Sequence, residues 1–352
     1  MRNLFVCHTQ AQLTLACGLA LGRFNNDNNE VIIYRDFALS DDMESRIRQV
    51  FLRVLLLQGI YPSEYNTYKA KLLFYPKGLR HIRNFIRDKY DHVFVTCDTV
   101  LITQKIMQYV WRKNHSVQYS WIEDGILAYY HDTENRQGLD RNAFTRLIRE
   151  ILFKYVCGVG RFYDRVFYGM GGASCIEDSY VLLPNYTREP YHSTRPLVKI
   201  SSYEYHLGLK SLYPFSNIGL EKHSIILVLD LLSRYQFPKI VRNALGNYIQ
   251  GWTSSGYVVY CKFHPRETET WDIFNSCVSL ESTQGVEGLY MSLLDCRESI
   301  QIVGVKSTGL MTAKLLGFEV TSLFRITQES NENLLSFYQA IGINVPDVNR
   351  DH

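Results

Sequence analysis

The stretch Tyr257-Val258-Val259-Tyr260-Cys261-Lys262-Phe263-His264-Pro265-Arg266-Glu267 decides how the chain is read. Its first half is a short β-branched and aromatic run, the pattern of a strand buried on both faces of a parallel sheet. The run stops at His264-Pro265, where the proline ring fixes its own φ and biases the histidine towards extended backbone. A histidine is therefore expected at the carboxyl end of a parallel strand, the edge at which open α/β sheets hold their ligands. Lys262 and Arg266 stand two residues to either side of it, which suits an anion. A strand end followed by solvated loop charges would give the same letters, so the rest of the chain has to decide.

Outwards from this stretch, the second half alternates strands (224–230, 256–262, 300–305, 318–323) with helices (237–248, 286–294, 310–316, 333–341). The first half alternates likewise. Strands are expected over 4–7, 31–34, 72–74, 93–95 and 117–122, and helices over 13–23, 40–57, 79–89, 102–111 and 143–155. This rhythm predicts the α/β class with doubly wound parallel sheets. At 352 residues the chain is long enough for two such domains. The connection is placed within 184–220, giving domains 1–190 and 191–352, with the last helix able to cross back onto the first domain. No fixed-period repeat or low-complexity tract interrupts the pattern.

Hydrophobic residues at 46% and charged residues at 21% fit a soluble protein with two cores. A net charge of only +3 argues against nucleic acid as a partner. The eight cysteines form no C-x-x-C pair and no ligand-like spacing with histidine, so reduced thiols and no metal site are expected. The chain enters its first strand almost at once, and no apolar run approaches the ~18 residues of a membrane span. A cytoplasmic protein is expected, with any membrane contact peripheral. The basic amphipathic segments 79–89 and 141–155 could provide such contact, but solvated faces of core-packed helices are the preferred reading.

Three further motifs can carry chemistry. Glu123-Asp124-Gly125 puts two carboxylates at a strand end, and because neighbours on an extended segment point to opposite faces, one of them is expected to face a ligand. Such a carboxylate can act as a general base towards a hydroxyl, with an acidic helix cap as the competing reading. Lys306-Ser307-Thr308-Gly309 precedes a helix, and hydroxyls with backbone N–H groups at a helix N-terminus hold phosphate. Glu287, in Val286-Glu287-Gly288-Leu289, starts another helix, from which it can bond the two hydroxyls of a nucleotide ribose. The sequence contains no D-x-D, no G-x-G-x-x-G after the first strand, no G-x-S-x-G and no complete Walker motif. Metal-clamped nucleotide-sugar, dinucleotide, hydrolase and ATPase sites are therefore unsupported.

In this order, E-D-G, then H-P, then V-E-G-L, then K-S-T, the motifs resemble those of the bacterial sialyltransferases. These comprise the family 52 lipooligosaccharide enzymes, the polysialyltransferases and their multifunctional relatives, with motifs D/E-D/E-G, H-P and S-S/T. The opening Leu4-Phe5-Val6-Cys7-His8-Thr9-Gln10-Ala11-Gln12 is similar to their first strand and T-x-x-Q turn. The resemblance spans both halves but is specific only at the motifs, and Thr308 stands where the family has a second serine.

The resemblance implies a GT-B fold, two Rossmann-like domains facing a cleft, and an inverting transfer of sialic acid from CMP-sialic acid to a glycan hydroxyl. The acceptor would be a bacterial surface polysaccharide or lipooligosaccharide, in some cases lipid-linked. CMP-sialic acid would enter as donor substrate, with no cofactor and no metal. Asp124, with Glu123 as alternative, would be the base, and His264 would protonate or hydrogen-bond the departing phosphate. Ser307 and Thr308 would hold that phosphate and Glu287 the ribose, with Lys262 and Pro265 also on the nucleotide side. Thr9, Gln10, Gln12 and Gly125 would lie on the acceptor side. Three alternatives compete: transfer of another CMP-nonulosonate or Kdo, a GT-B-like sugar-nucleotide epimerase, and a non-catalytic scaffold.

Overall fold

The computed structural model describes residues 1–59, 61, 68–130, 147–148, 150–163, 170–188, 195–214, 218–220, 223–264, 267, 269–280 and 285–347, with backbone alone over 68–76. The chain forms two compact units, Met1–Leu212 and Tyr213–His352. Among the described residues each unit carries one parallel sheet.

The first unit runs β1 (Arg2–Cys7), α1 (Gln10–Leu21), β2 (Asn28–Arg35), α2 (Asp41–Val50), β3 (Arg53–Gln58), α3 (Tyr68–Phe85), β4 (His92–Val95), α4 (Leu101–Lys113), β5 (Gln118–Ile122), β6 (Asp178–Val181), β7 (Leu197–Lys199) and α5 (Ser202–Leu212). The strands lie in the order β3-β2-β1-β4-β5-β6-β7, all parallel. Leu4, Phe5, Val6 and Cys7 are all fully buried, which is why β1 is an unbroken apolar run rather than an alternating one. Its partners follow suit, and Phe5 stacks on Phe94 of β4 with ring centroids 4.6 Å apart. Helix α1 is buried almost throughout because α5 covers the side the sheet leaves open. The two helices cross at glycines: a methyl on Gly18 would meet the Glu204 carbonyl oxygen at 2.1 Å, and one on Gly208 the Thr14 oxygen at 2.0 Å.

The second unit runs β8 (Ser224–Val228), α6 (Pro238–Ser254), β9 (Val258–Lys262), β10 (Val278–Leu280), α7 (Val286–Leu293), β11 (Ile300–Gly304), α8 (Thr308–Leu315), β12 (Glu319–Ser322) and α9 (Glu332–Ala340). Its sheet is β10-β9-β8-β11-β12, again all parallel. One apolar core joins Ile225 and Leu227 of β8 to Val241, Leu245 and Ile249 of α6 and to Cys261 of β9. The expected α/β class with doubly wound sheets is therefore the observed architecture.

Several expectations are corrected. The helix expected over 40–57 stops at Val50: Phe51 turns extended, and Arg53–Gln58 pairs with β2 as the edge strand β3. The strand expected at 72–74 lies inside α3. Strands β6, β7 and β10 and helix α5 were not foreseen. The domain boundary, expected at 190/191, falls at 212/213, because β7 completes the first sheet and α5 closes over α1. Helix α9 belongs to the second unit.

Candidate active site

In the first unit the chain order reverses between β1 and β4, and the residues that follow the strands gather at that carboxyl edge. His8 follows β1, Asp36 follows β2, Thr96 and Cys97 follow β4, and Glu123 and Asp124 follow β5. Thr9 caps α1, and with Gln12 it forms a reciprocal capping box. That box fixes the Gln12 amide. Its Oε1 accepts from the His8 N–H (2.7 Å), the Thr9 N–H (3.2 Å) and the Thr96 hydroxyl (2.8 Å). With the oxygen so committed, Nε2 donates to Asp124 Oδ1 and, at 3.6 Å, to Cys97 Sγ. His8 stacks on Tyr34 and places Nδ1 3.2 Å from Asp36 Oδ2 and Nε2 3.2 Å from the Thr103 hydroxyl.

The two adjacent carboxylates have opposite surroundings. Asp124 is half-buried, while Glu123 is 1% exposed. Glu123 Oε2 accepts from the Tyr129 hydroxyl and, at 2.7 Å, from the Leu182 N–H just beyond β6, while Oε1 has no hydrogen-bond partner among the described residues. Burial pushes the Glu123 carboxyl up to about 8 against these two donors. Burial also raises Asp124, opposed by the Gln12 amide and by His8. Gly125 takes φ +62°, a left-handed turn that a side chain would resist, and the chain then makes a short 3-10 turn over Gly125–Ala128. Asp124 stands at the N-cap position of that turn, but its side chain makes no capping bond. Neither carboxylate is the acidic cap that the motif also allowed.

In the second unit the order reverses between β8 and β11. Strand β9 ends at Lys262 and leads to Phe263 and His264, which is half-buried. Asp230, after β8, accepts from the Lys306 N–H at 3.0 Å and so ties the turn before α8 to the middle of the sheet. Ser307 caps α8 by accepting from the Gly309 N–H at 3.2 Å, and Thr308 is the first helical residue; both are half-buried. Gly309 packs against Val286 and Tyr290, where a methyl would come within 3.1 Å of Val286 Cγ2, so α7 and α8 begin side by side. Two helix N-termini together favour an anion. Lys262 and Glu287 are both almost fully buried. Burial lowers Lys262 to about 8 and raises Glu287, and each charge partly offsets the other's shift.

The first-unit set is thus assembled at one edge, and His264, Ser307 and Thr308 follow the carboxyl ends of β9 and β11 on either side of β8. Pro265 and Arg266 lie outside the described residues. Gln10 donates to the Ala38 oxygen at 3.1 Å and, like Thr9, is half-buried. Gln12, expected on the acceptor side, is fully buried and spends its amide on protein groups. His8, Asp36 and Tyr129 carried no expectation. The signal for His8 and Asp36 was their place directly after the first and second apolar runs, and Tyr129 comes to Glu123 through the short turn Gly125–Ala128 that follows β5. Among the described residues no group of three His, Cys, Asp or Glu side chains could hold a metal ion.

The model of the alpha-2,8-polysialyltransferase family matches residues 23–324. The chain belongs to that family. It is a sialyltransferase, and its family implies a sugar-nucleotide donor and a glycan acceptor. No curated protein matches significantly. Among solved structures, this sialyltransferase is similar to the alpha/beta-galactoside alpha-2,3-sialyltransferase of Photobacterium phosphoreum, at TM-score 0.53 and 9% identity over 98% of each chain. It is also similar to the UDP-GlcNAc 2-epimerase of Methanocaldococcus jannaschii, at TM-score 0.55 and 12% identity over 99% of this chain and 89% of that one. Identities this low speak for the fold, which is GT-B.

Proposed function

We propose that the enzyme is an inverting transferase that moves sialic acid from CMP-sialic acid to a glycan hydroxyl, with Asp124 as base. The observation that carries this reading is the division of labour at Glu123-Asp124, where one carboxylate is buried and the other half-open and held by an amide that is itself locked. The donor's anomeric carbon is tertiary and bears a carboxylate, so its bond to phosphate breaks ahead of attack. Catalysis then needs stabilisation of the leaving phosphate and one acceptor hydroxyl positioned beside a base.

Asp124 takes the proton of the acceptor hydroxyl as its oxygen bonds to the anomeric carbon. In the second unit, the N-terminus of α8 with Ser307 and Thr308 receives the departing phosphate, and His264 donates a hydrogen bond or proton to it. Glu287 holds the ribose from the first turn of α7, and buried Lys262 partly offsets the upward push that burial gives that carboxyl. The family's description makes an α-2,8 linkage, repeated on the growing chain, the first product to seek.

The test is incubation with CMP-sialic acid, CMP-Kdo and UDP-GlcNAc in parallel against a glycan array, read by mass spectrometry. Transfer is expected from CMP-sialic acid and should fall by roughly 10²–10⁴-fold in both Asp124→Asn and His264→Ala. Transfer at the normal rate by Asp124→Asn would remove the base assignment, and turnover of UDP-GlcNAc alone would remove the donor.

A further inference from the structure

The helical segment over 147–156 turns its apolar side outward. Leu147, Ile148, Ile151, Leu152, Tyr155 and Val156 recur at three- and four-residue spacing and so share one face. All six are exposed, from 44% for Leu152 to 77% for Tyr155. Glu150, the segment's acid, is instead buried, and it pairs with Lys154 at 2.7 Å. Helix α3 and the turn after it have the same basic amphipathic character with the opposite rotation: Ile82, Phe85 and Ile86 are buried while Arg80, Arg83 and Arg87 are exposed. Solvated basic residues over a packed apolar side therefore describe α3 and not 147–156.

The outward face is held in place. Lys105 of α4 donates from Nζ to the carbonyls of Cys157 (2.7 Å) and Gly158 (2.8 Å), which satisfies the end of the segment. The last turn, Leu152–Val156, widens to π-helical geometry, with the Cys157 N–H on the Leu152 oxygen at 2.8 Å. Around the apolar residues stand cations. Arg112 lies in the last turn of α4, which packs on the turn Gly160–Phe162, and Arg161 of that turn, which also packs on Leu152–Val156, lies over the Trp111 ring at 5.1 Å. Both are exposed. Arg141, Arg146 and Arg149, outside the described residues, add charge to the same stretch of sequence.

We infer that this face docks the enzyme onto a bilayer, the six apolar side chains entering the acyl boundary while Arg112, Lys154 and Arg161 meet anionic lipid headgroups. An exposed apolar stripe bordered by cations, with Tyr155 and Trp111 beside it, has the chemistry of the membrane interface. A second copy of the chain fits poorly, because a two-fold contact would set each copy's cations against the other's. No helix among the described residues is long and apolar enough to cross a membrane, so the contact is one of lying on the surface. The inference rests on exposure and charge in the first unit and not on the roles given to Asp124 or His264.

The test is flotation of the full chain with vesicles of phosphatidylglycerol and phosphatidylcholine, compared with phosphatidylcholine alone. The chain should float with the anionic vesicles and be released as salt rises. The double variants Ile151→Ser/Tyr155→Ser and Arg112→Glu/Arg161→Glu should each weaken binding at least about tenfold at an unchanged melting temperature. Leu52→Ser, at a 66% exposed apolar residue just before β3, should bind like the parent. If the apolar pair does not fold, the charge pair decides. No flotation with anionic vesicles, or parental binding by the charge pair, overturns the inference. So does a dimer that the apolar pair converts to monomer while vesicle binding is absent, which would assign the face to a second copy.

Discussion

Raising the pH from about 4.5 to about 8 strips a proton from Glu123 in the unfolded chain while the buried carboxyl keeps it, its ordinary value of 4.5 being pushed up to about 8. The stability this group contributes is therefore fully present below 4.5 and is lost as the pH climbs to about 8. Glu123→Gln cannot titrate, so the melting temperature of the variant relative to the parent should improve steadily between about pH 5 and about pH 8. Parallel melting curves for the two proteins would disprove the raised value. Its neighbour calls for a different measurement. Gln12 touches Asp124 through Nε2 and is locked by three donors at Oε1, so Gln12→Glu keeps an acceptor for those donors and turns an oxygen on the base. Two carboxyl groups in one place share a proton, so the acid limb of the kcat/KM profile should move to higher pH by about one unit or more. A purely structural Gln12 would lower stability and leave that limb where it was.

At the scale of elements, the carboxyl edge of β9 and the first turn of α7 bury Lys262 and Glu287 together. Lys262→Met should leave the acid without its counter-charge and cost about 3 kcal/mol, and Lys262→Met/Glu287→Gln should recover most of it. Equal melting temperatures for the single and double variants would show that the two charges do not interact. Elements of this kind were legible in the sequence because a two-sided buried strand is a continuous apolar run: Leu4–Cys7, Val31–Tyr34 and Ile225–Leu229 could hardly be anything else. Edge strands carry no such signal. Arg53–Gln58 follows a helix directly and pairs on one side only, and Leu197–Lys199 and Val278–Leu280 are three residues each. At 72–74 the Leu-Leu-Phe triplet fits a strand or a buried helical turn equally well, and periodicity cannot separate the two over so short a run. In the candidate site, the motifs gave the strand-end residues, whose position follows from chain order. The orientation of the Gln12 amide and the seat of Lys262 came from packing between distant segments, and the Tyr129 hydroxyl on Glu123 from a left-handed turn at Gly125 that the motif did not specify.

For the whole molecule, the counter-charge proposed for the leaving phosphate is supplied by the chain itself, through two helix N-termini. Transfer should accordingly survive excess EDTA; loss of activity that Mg²⁺ or Mn²⁺ restores would contradict this. The crossing of α1 and α5 bears on how the molecule is made. Gly18 and Gly208 bring the two helices into backbone contact, and Arg23 grips Glu204 with bonds of 3.0 and 3.1 Å, across roughly 190 residues of chain. During synthesis α1 leaves the ribosome first, at about 5–20 residues per second, and waits on the order of 10–40 s for the helix that covers it. A nascent chain arrested at 190 would hold an uncovered α1 and a sheet without β7, a ready client for chaperones and proteases, whereas one released at 212 would already contain every helix and strand of its first unit.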